Sequence, residues 1–182
     1  MFVCAGSLER IGMARGVGVG LIESAITLTR LCLLERPTEL IFVGSAGSYD
    51  PNLPMLSLFK SAQGYQIEQS FVCDQSYTPL ENYLEAHSAL LDQICLPAVK
   101  VNSSNYIHTS PDFARQMQGA GIALENMEFF TLLRVAQSFK IPSVGVFCVT
   151  NYISPHAHQE FLDNHDRAKA RLEAWMEAFG KC

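Results

Sequence analysis

Two runs of apolar residues do most to restrict what this chain can fold into. Leu40-Ile41-Phe42-Val43 and Val144–Val149 show no polar alternation, so a strand built from either must be covered on both faces. Around them, apolar residues recur at helical spacing. Leu21, Ala25, Leu28, Leu31 and Cys32 mark one stripe of a helix over Leu21–Leu34, opened by Gly16-Val17-Gly18-Val19-Gly20 and closed by Pro37. Phe129, Leu132, Leu133, Ala136 and Phe139 mark a second helix, and Phe161, Ala168, Leu172, Trp175, Met176 and Phe179 a third. Strands alternating with helices of this length predict βαβ units. The expected fold class is therefore α/β: a three-layer α/β/α arrangement around a mostly parallel, mixed central sheet. Residues 1–182 read as a single domain, without repeat, linker or low-complexity tract.

The remaining elements are fainter. Met1–Ala5, Met55–Phe59, Tyr65–Cys73, Leu96–Val101 and Ile122-Ala123-Leu124 are expected as strands, and Leu80–Ile94 as a helix. A short helix starts at Pro111 and ends before Gly119.

Charge narrows the partners. The net charge is −5 and Lys/Arg never cluster, which argues against binding a nucleic-acid backbone. One or two basic groups still suffice for a small anion. The six cysteines stand singly, with no C-x-x-C pair, which predicts free thiols in a reducing compartment and no zinc site. The start, Met1-Phe2-Val3-Cys4-Ala5, lacks a charged leader, and no apolar run approaches the roughly 20 residues of a membrane span. A soluble, cytoplasmic protein without membrane or nucleic-acid partners is expected.

Three polar clusters fall at the ends of expected strands, where α/β sheets collect ligands. In Gly44-Ser45-Ala46-Gly47-Ser48 the glycines let backbone N–H groups approach a ligand oxygen and the serines add hydroxyls, although a bare turn would use the same residues. In Glu125-Asn126-Met127-Glu128, Asn126 suits a helix N-cap and Glu128 the positive end of the helix dipole. A carboxylate there also suits the hydroxyls of a sugar. In Thr150-Asn151-Tyr152, the Asn amide offers both a donor and an acceptor, enough to read a purine edge, or simply a turn. His156 and His158 read as loop residues and His165 as a residue of the last helix; no metal-ligand spacing links them.

Taken in this order, the clusters resemble the nucleoside phosphorylase and nucleosidase superfamily, which includes purine nucleoside phosphorylases, methylthioadenosine/S-adenosylhomocysteine nucleosidases and futalosine hydrolases. The resemblance runs from about Gly16 to Phe179. Ile41–Gly47 looks like the family's Gly-Ser/Thr-Ala-Gly loop for phosphate or water. Asn126-Met127-Glu128 falls on its Glu-Met-Glu signature, and Glu125-Asn126-Met127-Glu128 is similar to the futalosine hydrolase variant. Val149-Thr150-Asn151 falls on its strand-end Ser-Asp or Ser-Asn.

That resemblance implies roles. Glu128 would bind the ribose 2′- and 3′-hydroxyls, next to Asn126, with Met127 packed on the sugar. Tyr106 would stack on the purine and Ile107 would meet its edge. Asn151 would stabilise the leaving base at N7. Ser45, with the backbone of Gly44 and Gly47, would hold phosphate or orient water. Departures bear on the acceptor: Phe42 stands where hexameric phosphorylases carry an arginine, Arg10 and Arg15 are the basic residues left to bind phosphate, and Glu9 lies where nucleosidases place a water-activating glutamate. The chain is also shorter than usual members. The first expectation is a purine nucleoside phosphorylase using phosphate as co-substrate, with no other cofactor and no metal. A nucleosidase or futalosine-type hydrolase using water at the same site is the alternative, and a member that binds a nucleoside without turnover is a third. The small-molecule partner is a purine nucleoside, and the family implies a homo-oligomer (dimer, trimer or hexamer).

Overall fold

A computed structural model describes residues 1–6 and 9–179. The two apolar runs do form the central strands. β3 (Leu40–Ser48) and β8 (Ser143–Tyr152) lie parallel over their whole length. Their side chains alternate between two buried layers. Leu40, Phe42, Phe147 and Val149 face one layer, and Ile41, Val43, Val144, Val146 and Cys148 the other. On the first layer lie α1 (Gly20–Glu35) and α5 (Phe129–Phe139), packed against each other. On the second lies α6 (Ala157–Phe179), held by Ala168, Leu172 and Met176. Phe42, Phe129 and Phe147 meet at the centre, with ring centroids 5.1 to 6.4 Å apart. Each is essentially fully buried and contributes about 2 kcal/mol through area removed from water. The fold is the expected α/β class, with helices on both sides of a mixed sheet.

Local chemistry sets the helix ends. Ser110 accepts a hydrogen bond from the Phe113 N–H and Pro111 takes the first position of α4 (Pro111–Gly119). α5 ends at Lys140, which adopts the left-handed conformation before Pro142.

One edge of β3 is shared. Its first half pairs in parallel with β1 (Phe2–Cys4), which carries the two-residue β2 (Arg15–Gly16) beyond it. Its last two residues pair antiparallel with β7 (Leu124–Asn126). β7 lies parallel to β6 (Ala98–Ser103), β6 to β4 (Leu58–Tyr65), and β4 returns antiparallel to β8. β3, β7, β6, β4 and β8 thus hydrogen-bond in a closed circuit, and the sheet curls on itself.

Two expected elements are corrected. Tyr65–Cys73 is not a strand: β4 stops at Tyr65, where the Asn102 side chain captures both the N–H and the carbonyl of Ile67. The chain then forms one helical turn, α2 (Gln69–Val72), with no buried residue. Leu80–Ile94 is not a helix either. Tyr83–Glu85 forms β5 along Gln63–Tyr65, the stretch of β4 that β8 leaves unpaired, burying Leu84, and only Leu90–Gln93 is helical, as α3. An open sheet edge outweighed local propensity there.

Candidate active site

Because β3 and β8 run parallel, Gly44–Ser48 and Thr150–Tyr152 emerge side by side, and β7 brings Glu125 opposite Gly47. A cavity of about 270 Å³ opens at this junction. Its geometry depends on a bulge. Ala46 pairs with Val149 but Gly47 with Asn151, leaving Thr150 as the extra residue. A regular strand would send neighbouring side chains to opposite faces; here Thr150 and Asn151 both line the cavity. The Thr150 hydroxyl donates to Asn151 Oδ1 at 3.0 Å, and Asn151 Nδ2 donates to the Tyr152 carbonyl at 3.3 Å. A Cβ at position 47 would stand 2.8 Å from Ile153 Cδ1 and 2.9 Å from that amide nitrogen, so glycine there lets both side chains keep their places.

Glu128 is 3% exposed at the entrance to α5. Its Oε1 accepts the Gly20 N–H at the start of α1 (2.8 Å), and its Oε2 accepts from Met127 N–H and Asn126 Nδ2 (both 3.3 Å). Burial pushes its ionisation up to about 8, and the nearby charge of Glu9 adds to this, against the pull of the two backbone donors. Asn126 does serve the helix as well: its Oδ1 accepts from the Phe129 N–H and from the Ser103 hydroxyl.

Glu9, partly buried, accepts a hydrogen bond from the Ser45 hydroxyl inside the cavity. Burial raises its ionisation too, opposed by the Ser45 bond and by His165. Glu9, Ser45, Gly47, Tyr106, Ile107, Asn126, Met127, Glu128 and Asn151 all line the same cavity. Tyr106 and Ile107 stand at its mouth with exposed side chains.

Three expected residues are not brought there. Gly44 lies in β3 away from the lining, and its missing Cβ makes room for the Phe42 ring instead. Arg10 is exposed and does not reach the cavity. Arg15 is exposed in β2 and pairs with Glu35 at 2.6 Å. Among the described residues, no lysine or arginine lines the cavity, whereas Glu9, Glu125 and Glu128 do.

The sequence pattern places His158 in a loop and Phe161 on the core stripe of the last helix. They lie in the first turns of α6, not in a loop and not on the core stripe, and both line the cavity. Two bonds staple that end of α6 to the bulged strand: Tyr152 N–H to Glu160 Oε2 (2.8 Å) and Asn164 Nδ2 to the Thr150 carbonyl (3.1 Å). The signal in the sequence was the polar pair Glu160 and Asn164, one turn apart, behind a strand end. Glu125 was also missed as an individual residue; it holds Tyr49 and His108 rather than solvent.

Among solved structures, the chain is similar to a methylthioadenosine/S-adenosylhomocysteine nucleosidase from Streptococcus pneumoniae in complex with 8-aminoadenine: TM-score 0.83, 13% identity, 99% of this chain and 97% of that one covered. It is similar to the nucleosidase of the same kind from Helicobacter pylori, with TM-score 0.81, 16% identity, and 92% and 78% covered. A futalosine hydrolase mutant from Helicobacter pylori gives 0.81, 17%, and 92% and 79%. At such identities the likeness establishes the fold. The family model described as the phosphorylase superfamily matches residues 4–180, nearly the whole length, and the chain belongs to that superfamily.

Proposed function

We propose that this protein hydrolyses the N-glycosidic bond of a purine nucleoside, with water rather than phosphate as the acceptor. The observation that carries the reading is the Glu9–Ser45 pair in a cavity lined by carboxylates and by no lysine or arginine among the described residues. Nothing in that lining offers a phosphate dianion a cation to repay its desolvation, and either glutamate repels it once ionised. Water is neutral, and a carboxylate of raised basicity is suited to take its proton. The nucleosidases and the futalosine hydrolase among the similar structures support the same choice over the phosphorylase expectation.

In this reading Glu128 accepts hydrogen bonds from the ribose 2′- and 3′-hydroxyls, with Met127 against the sugar. Tyr106 and Ile107 flank the base. As the C1′–N9 bond breaks, positive charge grows on the ribose and negative charge on the purine. Glu9 takes a proton from water as its oxygen attacks C1′, and Asn151 donates a hydrogen bond at N7, where the departing electron pair collects. Because Thr150 occupies Oδ1 of Asn151 and the Tyr152 carbonyl takes one of its amide hydrogens, the second N–H is the donor left for the base. A donor there suits the acceptor edge of a 6-oxopurine better than the amino group of adenine. The reading includes a homo-oligomer. Val19, Ile22 and Ile26 are exposed at the start of α1, Val19 also lining the cavity, and sedimentation of the purified protein tests it.

The decisive assay is release of free base from inosine, guanosine, methylthioadenosine and futalosine, each with and without phosphate. Release without phosphate, unchanged by its addition, is expected. Strict dependence on phosphate would restore the phosphorylase, and no release from any of the four would leave a nucleoside-binding protein.

A further inference from the structure

The loop that follows β6 carries Tyr106 and Ile107, and it is tied down on either side of them. On the near side, Asn105 Oδ1 accepts the Leu21 N–H at 2.8 Å, and the Ser104 hydroxyl both donates to Glu68 (2.9 Å) and accepts the Tyr106 N–H (3.0 Å). On the far side the tie is Glu125. Its Oε1 accepts the His108 N–H at 3.1 Å, and its Oε2 is hydrogen-bonded to the His108 ring Nδ1 and to the Tyr49 hydroxyl. All three residues are buried. Tyr49 is steadied in turn by Asn102 Nδ2 at 3.2 Å. The Phe113 ring closes the group, 4.3 Å from His108 and 5.7 Å from Tyr49 between centroids. Burial, and then the Glu125 charge, hold the Tyr49 phenol well above its ordinary ionisation, so it stays a donor throughout the working range of pH.

None of these bonds belongs to the chemistry assigned to Glu9, Glu128 or Asn151. We infer that Glu125 is a positioning residue for the purine base: braced by Tyr49, it anchors His108 and thereby sets where Tyr106 and Ile107 stand at the cavity mouth. The inference rests on the reading of Tyr106 and Ile107 as base contacts. Between Asn105 and His108 lie only those two residues, and their side chains are largely exposed. Release of the far anchor therefore frees both, while β3, β8 and the bulge at Thr150 keep Ser45, Gly47 and Asn151 where they are. Backbone and ring of His108 bind the same carboxylate, so the anchor fixes the direction of the loop as well as its end point.

The test is steady-state base release from inosine or guanosine, with free hypoxanthine as competitive inhibitor. Glu125→Ala should raise KM and the hypoxanthine inhibition constant together, on the order of ten-fold for loss of a charged, buried hydrogen-bond acceptor. It should leave kcat within roughly three-fold, since the reacting groups stay in place. Glu125→Gln, whose amide oxygen still accepts the His108 N–H, should recover part of the loss, and His108→Ala should shift both constants in the same direction as Glu125→Ala. These two variants carry the comparison if the alanine variant does not fold. Folded variants whose KM and inhibition constant match the parent, or a fall in kcat with both constants unchanged, would overturn the inference alone. Absence of base release and of hypoxanthine binding by the unaltered protein would overturn the functional reading and this inference with it.

Discussion

Replacing Glu128 with glutamine sets stability against function in opposite directions, and the structure states how large the contrast is. The carboxyl is 3% exposed and ionises only at about 8, against an ordinary 4.5 in the unfolded chain. At about 1.4 kcal/mol per pH unit, the gap corresponds to roughly 5 kcal/mol. The sign follows from proton binding. The folded state holds the proton more tightly than the unfolded state, so the contribution of this group is fully present below pH 4.5 and is lost progressively as pH rises to about 8. Glutamine does not titrate, and its amide oxygen still accepts the Gly20 N–H, so Glu128→Gln should lack this decline. Thermal unfolding of the ligand-free proteins should give similar midpoints near pH 4.5. By pH 8 to 9 the variant should lead by several kcal/mol, on the order of 10 °C for a chain of this length. Nucleoside affinity should move the other way in the parent, rising toward pH 8 as the carboxylate forms to accept two ribose hydroxyls. In the variant it should be weaker and nearly flat. Two stability curves that run parallel from pH 4.5 to 9 would refute the buried, proton-holding state of Glu128, and an unchanged nucleoside affinity in the variant would refute its contact with ribose.

Other expectations follow from the same geometry. Glu9→Gln should lower kcat by roughly a hundred-fold or more, the usual size of a general-base contribution, with little change in KM; a kcat within a few-fold of the parent would remove Glu9 from water activation. Gly47→Ala places a methyl group 2.8 Å from Ile153 and 2.9 Å from the Asn151 amide, which should destabilise the fold by about 1–3 kcal/mol in chemical denaturation and lower base release; wild-type values for both would mean that the bulge yields without cost. Asn151→Asp supplies an acid that can protonate N7, so the ratio of kcat/KM for methylthioadenosine over inosine should rise, and a fall in that ratio would contradict the assignment of Asn151 to N7.

How much of this was legible beforehand differs by residue. Glu128, Asn126 and Met127 were visible as a cluster because they lie together in the chain, and Ser45, Gly47 and Asn151 because each follows a buried apolar strand. Glu9 is reached only by resemblance, since nothing around it in sequence marks it as facing a cavity. Arg10 and Arg15 were chosen by charge alone, and charge carries no direction: Arg15 turns to Glu35 on the surface. The places of His158 and Phe161 are not legible in the sequence because the bonds that seat that end of α6 run from Glu160 and Asn164 to β8, which the pattern of α6 cannot reveal.

Order along the chain, the alternation of strands with amphipathic helices and the two-sided burial of β3 and β8 are written in local periodicity, so the sequence alone determined the α/β class and the strand ends where a site would form. The closed circuit of strands, the bulge that turns Thr150 and Asn151 to one face, and the acid-lined cavity free of lysine and arginine among the described residues belong to the tertiary structure. They depend on pairing register and on contacts between residues far apart in the chain, such as Gly20 with Glu128 and Ser45 with Glu9, and no local pattern encodes which distant partner a side chain will meet.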